Sequence, residues 1–472
     1  MEIVALPALR TWSNCDSSLF ILCFFHETEH RGHVHSKTVP EHGRTLTFWR
    51  ALMLNRNPWP VILQVIPELS TGGAERTTIE IAEAVTLGGG LALIVSSGGR
   101  LEKELADVGG ELIRFPSRTK NPGLMLFNVL RLSRLIRQRG VSLVHARSRA
   151  PAWSAFVAAR RTKRCFVTTY HGIYNQNSRL KSYYNSVMAR GDAVICNSQY
   201  TARIVRERHP EASERVGVIY RGLDEARFDP AAVGAERVRA LREAWGVGAA
   251  QRIVLMPARL TRWKGQRVLI EAAALFRTRS PHDDIVFVLV GDHQSRSSYR
   301  AELEALIESH GLAGRVIIAG HCDDMPAAFK SASLTVLPSI EPEAFGRASI
   351  ESQAMGCPVI ASNIGAFPET VASEPSLLAR VASMAEGGVK DPEPRPRRNP
   401  WLFEPGNSQD LCESLCTALA LSGNDLEALR EHCMERARTA FSKRTLQLQT
   451  LSVYDRLIGT QLASTFRNAI QK

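Results

Sequence analysis

Short apolar runs recur along most of the chain, each separated from the next by a stretch of helical spacing. Runs at about 61–66, 91–95, 142–145, 166–169 and 193–196 are short and do not alternate strictly, which predicts strands buried on both faces. The stretches between them carry apolar residues three and four apart, so a parallel sheet with crossover helices is expected over 58–223. The alternation restarts at Ile253 and continues through 287–290, 316–318, 334–337 and 359–360, predicting a second doubly wound unit over 224–443. Gly222 to about Arg242 reads as the hinge between them, and 444–472 as a closing segment with a helix near Thr445–Gly459.

Two stretches stand outside the pattern. Residues 1–57 hold one apolar run, Ser17–Phe25, then five histidines with no regular period. The run is as long as a signal-peptide core but lacks a basic flank and a small-residue cleavage site. The segment is therefore read as an irregular, poorly ordered leader, and removal of residues 1 to 52 is expected to leave activity intact. About 373–399 is the other; its run from Pro392 to Pro400 is rich in Pro and Arg and reads as an extended, solvated insertion.

Composition narrows the class. At 472 residues, 44% hydrophobic and 22% charged, the chain can form two domains with proper cores. No run approaches the roughly eighteen apolar residues of a membrane-spanning helix. Nine Cys occur without a C-x-x-C pair or metal-ligand spacing, which suits reduced thiols and a cytoplasmic location. Asp283-Asp284 and Asp323-Asp324 are adjacent pairs, not spaced ligands, so no metal and no other cofactor is expected.

The net charge of +12 is unevenly spread. Between Leu112 and Gly191 there are sixteen Arg and Lys and no Asp or Glu. Within this tract Leu124–Arg139 reads as a basic amphipathic helix, either packed on the sheet or facing a membrane. No zinc-finger, aromatic RNA-binding or helix-turn-helix pattern accompanies the charge, so nucleic acid is not an expected partner. Peripheral contact with an anionic membrane at the inner face of the cytoplasmic membrane is the expectation instead.

Candidate chemistry sits in the second half. Glu343-Ala-Phe-Gly-Arg-Ala-Ser-Ile-Glu351 places two carboxylates around a Phe345-Gly346-Arg347 turn that opens a helix. Ionised carboxylates accept hydrogen bonds from sugar hydroxyls, and free backbone N–H groups at the helix start suit a phosphate. Arg259 and Lys264 follow the apolar strand at Ile253, where an Arg fork and a Lys point charge can hold a diphosphate. Gly72 and Gly73 follow the first strand without G-x-G-x-x-G spacing, which argues against a dinucleotide cofactor. His171 follows another strand, a place where histidines are commonly ordinary loop residues.

Taken in order, Ser70–Glu75, Thr168–Gly172, Ile219–Asp224, Arg259–Gly265, Val288–Asp292 and Glu343–Glu351 resemble the motifs of glycosyltransferase family 4, retaining nucleotide-sugar enzymes of the two-domain GT-B fold. The resemblance runs from about Val61 to Ile458. It implies transfer of a sugar from a nucleotide-diphosphate sugar to a glycan or lipid-linked acceptor, of the kind used in cell-envelope polysaccharide or lipopolysaccharide biosynthesis. It further implies that Arg259 and Lys264 bind the diphosphate, that Glu343 contacts the transferred sugar and Glu351 the ribose, and that His171 lies beside the reacting sugar. Gly72 and Gly73 would approach the donor phosphates across the cleft, and Phe345, Gly346 and Arg347 would belong to the donor site. By the same resemblance the final helix packs back on the first domain. A sugar-nucleotide epimerase of the same fold and a catalytically silent scaffold are the alternatives.

Overall fold

The computed structural model describes residues 59–70, 72–119, 121–174, 176–279, 284–292, 297–372 and 399–471. The leader and nearly all of the Pro/Arg-rich insertion lie outside the described residues.

Two parallel sheets carry the chain. The first contains β1 (Val61–Val65), β2 (Leu91–Ser96), β3 (Glu111–Arg114), β4 (Leu143–Ala146), β5 (Cys165–Tyr170), β6 (Ala193–Cys196) and β7 (Val216–Val218), in the order β3-β2-β1-β4-β5-β6-β7. The second contains β8 (Arg252–Pro257), β9 (Ile285–Val290), β10 (Val316–Gly320), β11 (Leu334–Leu337), β12 (Val359–Ser362) and β13 (Leu402–Phe403), in the order β10-β9-β8-β11-β12-β13. All pairings are parallel, so every crossover climbs a face of its sheet and buries both sides of the central strands. Accordingly β1, β4 and β9 are buried along their whole length.

Neither β3 nor β7 was expected. They are edge strands of four and three residues, half exposed, and carry no continuous apolar run to mark them. The hinge is also shorter than expected. Phe228 and Val233 are buried in the second core with Ile253 and Phe329, so the chain has already joined that domain soon after Leu223.

The chain crosses between domains twice, and the crossings pair. Leu223 N–H donates to the Phe441 carbonyl (2.6 Å) and Lys443 N–H to the Leu223 carbonyl (3.2 Å). Beyond this point the Lys443–Ile458 and Leu462–Ala469 helices lie on the first domain. Leu446, Leu451, Tyr454, Leu462 and Phe466 there share one core with Ile62, Ile81 and Val85. Tyr454 Oη lies 2.6 Å from the Nδ1 atom of buried His145, whose Nε2 lies 2.7 Å from Thr169 Oγ1.

Candidate active site

The site forms where the C-terminal ends of both sheets face each other, the position at which open parallel sheets bind ligands. A cavity of about 480 Å³ is lined by His171, Asn197 and Arg221 from one side and by Arg259, Trp263, Lys264 and the Glu343–Ala348 turn from the other.

On the second domain, β8 ends at Pro257 and the chain turns through the short helical turn Arg262–Lys264. Lys264 Nζ donates to Glu343 Oε1, which also accepts from Ser339 Oγ at 2.7 Å. The pair is well sheltered, at 16% and 14% side-chain exposure, with the ammonium 4.3 Å from the centre of the Trp263 ring. Glu343 is itself fixed from behind, because Ala366 N–H donates to its carbonyl at 2.9 Å. Gly346 opens the Arg347–Ala354 helix with φ +77°, and a Cβ there would lie 2.6 Å from the Phe367 ring, so only glycine makes this turn without strain. One turn into the helix, Glu351 Oε1 accepts from Arg347 Nε at 3.2 Å. The Arg259 guanidinium has no hydrogen-bond partner among the described residues, while its carbonyl accepts from the buried Gln266 amide at 2.9 Å.

On the first domain, Arg221 Nη2 lies 3.2 Å from both His171 Nδ1 and the His171 carbonyl. A guanidinium only donates, so Nδ1 accepts and the ring proton belongs on Nε2, a shielded atom that no protein group satisfies. Burial, reinforced by the charges of Arg221 and Arg147, holds the imidazole well below its ordinary pKa, and the ring is neutral. Burial and the neighbouring Arg347 likewise lower Arg221 to about 10, which leaves it charged at neutral pH. Arg221 Nε is also shielded and unpartnered. Asn197, just past β6, donates to the His171 carbonyl at 3.5 Å.

The glycine loop reaches the site through these arginines. A Cβ on Gly73 would run into the Arg221 guanidinium and meet Arg347 Cδ at 3.6 Å. Gly72, Gly73 and Glu351 therefore flank the cavity without lining it. Phe345 borders it, but its ring is buried against Tyr220 (6.2 Å) and Phe441 (5.9 Å), so side-chain contact with a ligand is not its part; the ring anchors the turn. Sequence reading missed Arg221, Asn197 and Trp263. Arg221 stood out only by its place in the Ile219–Asp224 segment, since charged residues are ordinary in connectors.

A carboxylate also joins the domains. The Glu369 carboxylate accepts from the Gln199 and Tyr200 N–H groups, both at 2.6 Å, and from Tyr220 Oη at 3.2 Å. It thereby caps the Gln199–Arg208 helix of the opposite domain.

Two facing doubly wound sheets with a cation-lined cleft define a two-domain GT-B glycosyltransferase. The chain belongs to the glycosyltransferases of family 4. The family described as "Glycosyltransferase Family 4" matches residues 71–227 and "Glycosyl transferases group 1" matches 238–439. A glycosyltransferase from Rickettsia africae superimposes with a TM-score of 0.73 at 32% identity, covering 85% of this chain and 99% of that one. Anabaena HepE, at 24% identity, shares the fold with a TM-score of 0.67 over 84% of this chain and 100% of that one. The D-inositol 3-phosphate glycosyltransferase of Salinispora arenicola is 32% identical over 196 residues, 40% of this chain and 44% of that relative. The chain thus matches less than half the length of these curated relatives. Among the described residues no helix is long and apolar enough to cross a membrane.

Proposed function

We propose that this chain is a retaining glycosyltransferase that moves a sugar from a nucleotide-diphosphate sugar to a hydroxyl of a glycan or lipid-linked acceptor in cell-envelope polysaccharide or lipopolysaccharide synthesis. The observation that carries this reading is the convergence of Arg221, Arg259, Lys264 and Arg347 on one cavity that also holds the Glu343 carboxylate.

When the bond between the sugar and the diphosphate breaks, negative charge grows on the leaving phosphate. Lys264 and Arg259 are placed to stabilise it, with the N–H groups at the Arg347–Ala354 helix start assisting. Lys264 exchanges its Glu343 partner for phosphate on donor binding, which releases Glu343 to accept from sugar hydroxyls. Glu351, held through Arg347, is assigned to the ribose. His171 stays neutral and offers its Nε2–H to the transferred sugar. In the front-face course the departing phosphate takes the acceptor proton, and the new bond forms on the face the diphosphate leaves. No protein base is then needed, and neither is a metal, because the surrounding cations carry the leaving-group charge.

Structures of Anabaena HepE hold UDP and UDP-glucose, so UDP-sugars are the first donors to test. The test is thermal shift and calorimetry across UDP-, GDP- and ADP-sugars, with Lys264→Ala as control. Stabilisation by one nucleotide class, lost in the variant, is expected. No stabilisation of folded protein by any donor would overturn the reading, and donor conversion without an acceptor would favour an epimerase.

A further inference from the structure

The described residues expose eleven large hydrophobic side chains, and seven of them fall on three adjoining helices of the first domain. Four belong to the Pro122–Gln138 helix: Leu124, Leu126, Phe127 and Leu130, between 48% and 65% exposed. This helix does not lack a core face. Val129, Leu132 and Ile136 are buried, so the exposed leucines form a second apolar face that the fold leaves uncovered. The same outer face continues into Arg131, Arg134 and Arg137, all exposed.

The neighbouring helices extend it. Ser154 of the Arg149–Arg161 helix donates to the Met125 carbonyl at 3.0 Å, and Trp153 of that helix stacks on Tyr183 of the Arg179–Ser186 helix at 5.2 Å. Val157, Leu180 and Tyr183 are exposed there, with Leu180 at 83%. Arg161, Arg179, Lys181 and Arg190 on the same segments are exposed as well, with the Arg190 guanidinium 5.7 Å from the centre of the Tyr183 ring. From Leu112 to Gly191 not one acidic residue offsets these cations.

We infer that this face is a docking surface for an anionic lipid bilayer: Leu124, Leu126, Phe127, Leu130, Leu180 and Tyr183 enter the acyl boundary while the flanking arginines and lysines contact lipid phosphates. Apolar tips in an acid-free basic field match the two terms of interfacial binding, buried apolar area and attraction to anionic headgroups. A soluble acidic protein would satisfy the arginines but give no reason for Leu180 to stand so far out. The Arg179–Ser186 helix is joined to His171 by only a short loop, so docking would set the acceptor side of the cleft at the lipid surface. The inference deepens the lipid-linked part of the proposed function and is tested separately from it.

The experiment is co-sedimentation of the full chain with phosphatidylcholine vesicles, with and without phosphatidylglycerol, at low and high salt. Binding is expected to anionic vesicles alone and to weaken with salt. Leu126→Glu with Leu130→Glu should weaken it by about tenfold or more, and Arg134→Ala with Arg137→Ala by roughly tenfold. Leu87→Glu, an exposed leucine outside the face, should change nothing. Thermal melts establish that each variant is folded, and stabilisation by UDP-sugar, measured in parallel, should be the same in all. Equal partition onto neutral vesicles, no partition at all, or full retention by the Leu126/Leu130 variant would overturn the inference. So would self-association abolished by that variant, which would make the face a protein interface. Loss of nucleotide binding in wild-type protein would instead strike the proposed function.

Discussion

The two walls of the cleft solve opposite problems. On the second domain two ion pairs stand before any ligand arrives, Lys264 with Glu343 and Arg347 with Glu351, beside the Arg259 guanidinium, which has no partner among the described residues. On the first domain the polar atoms wait: His171 Nε2 and Arg221 Nε are shielded from water and have no partner. A pre-formed ion pair keeps a sheltered cation from costing its full desolvation, and it can be exchanged for phosphate without a net loss of partners. An orphaned donor costs stability until a ligand satisfies it, and so favours closure on the right ligand. The ion pairs of the second-domain wall are therefore satisfied when the cleft is empty, and the opposite wall is completed only when it is occupied.

The sharpest way to break this contrast is Lys264→Ala. Turnover should fall by about 3 kcal/mol, roughly a hundredfold, with the melting temperature little changed. Steady-state transfer from the donor identified by binding measures it; near-normal turnover would remove Lys264 from the proposed role. Arg221→Gln acts on the other wall and should lower turnover by about tenfold, the worth of a charge-assisted hydrogen bond. It should also change the pH profile. Arg221 helps hold His171 below its ordinary pKa, so without that charge the pKa rises and an acid limb of activity moves up toward pH 6.5. An unchanged profile would mean that Arg221 does not set the protonation of His171.

Stability should fall on the acid side for a related reason. His145 and His171 both have folded-state pKa values well below 6.5, so below that pH the unfolded chain takes up protons that the folded chain cannot. Each contributes fully above pH 6.5, and the contribution declines toward its folded pKa by up to about 1.4 kcal/mol per pH unit. Melting curves between pH 8 and 5 should show the decline, and a flat profile would contradict it. The smallest effect is expected for Glu369→Gln, which keeps the shape but weakens the cap across the domains by about 1 kcal/mol. Small-angle scattering should report a larger mean radius of gyration, and unaltered scattering would show that Glu369 does not restrain the domains.

The second wall was far more legible in the sequence than the first. Arg259, Lys264, Glu343 and Arg347 lie within short segments that follow buried strands, and such strands announce themselves as continuous apolar runs. His171 also follows such a strand, but its proton position depends on Arg221, fifty residues away, and sequence spacing does not encode that contact. Glu369 carries no mark in the sequence, because two of its partners, the Gln199 and Tyr200 amides, are backbone groups in another domain. The sheets followed the same rule: central strands were evident, while the edge strands Glu111–Arg114 and Val216–Val218 were not. The Pro122–Gln138 helix was legible as amphipathic and basic, yet only the packing separates its core face from the outward leucines.

The paired crossings at Leu223 and Lys443 give the molecule an order of assembly. On the ribosome the first sheet emerges complete, yet the core beneath it lacks Leu446, Leu451, Tyr454 and Phe466, which are made only after the second domain. The second domain, by contrast, has its described strands by Phe403 and its core residues by Phe441, before its elder neighbour has Leu446 to Phe466. Of these two domains the one made first is thus finished last, and its Ile62, Ile81 and Val85 stay uncovered until the C-terminal helices arrive.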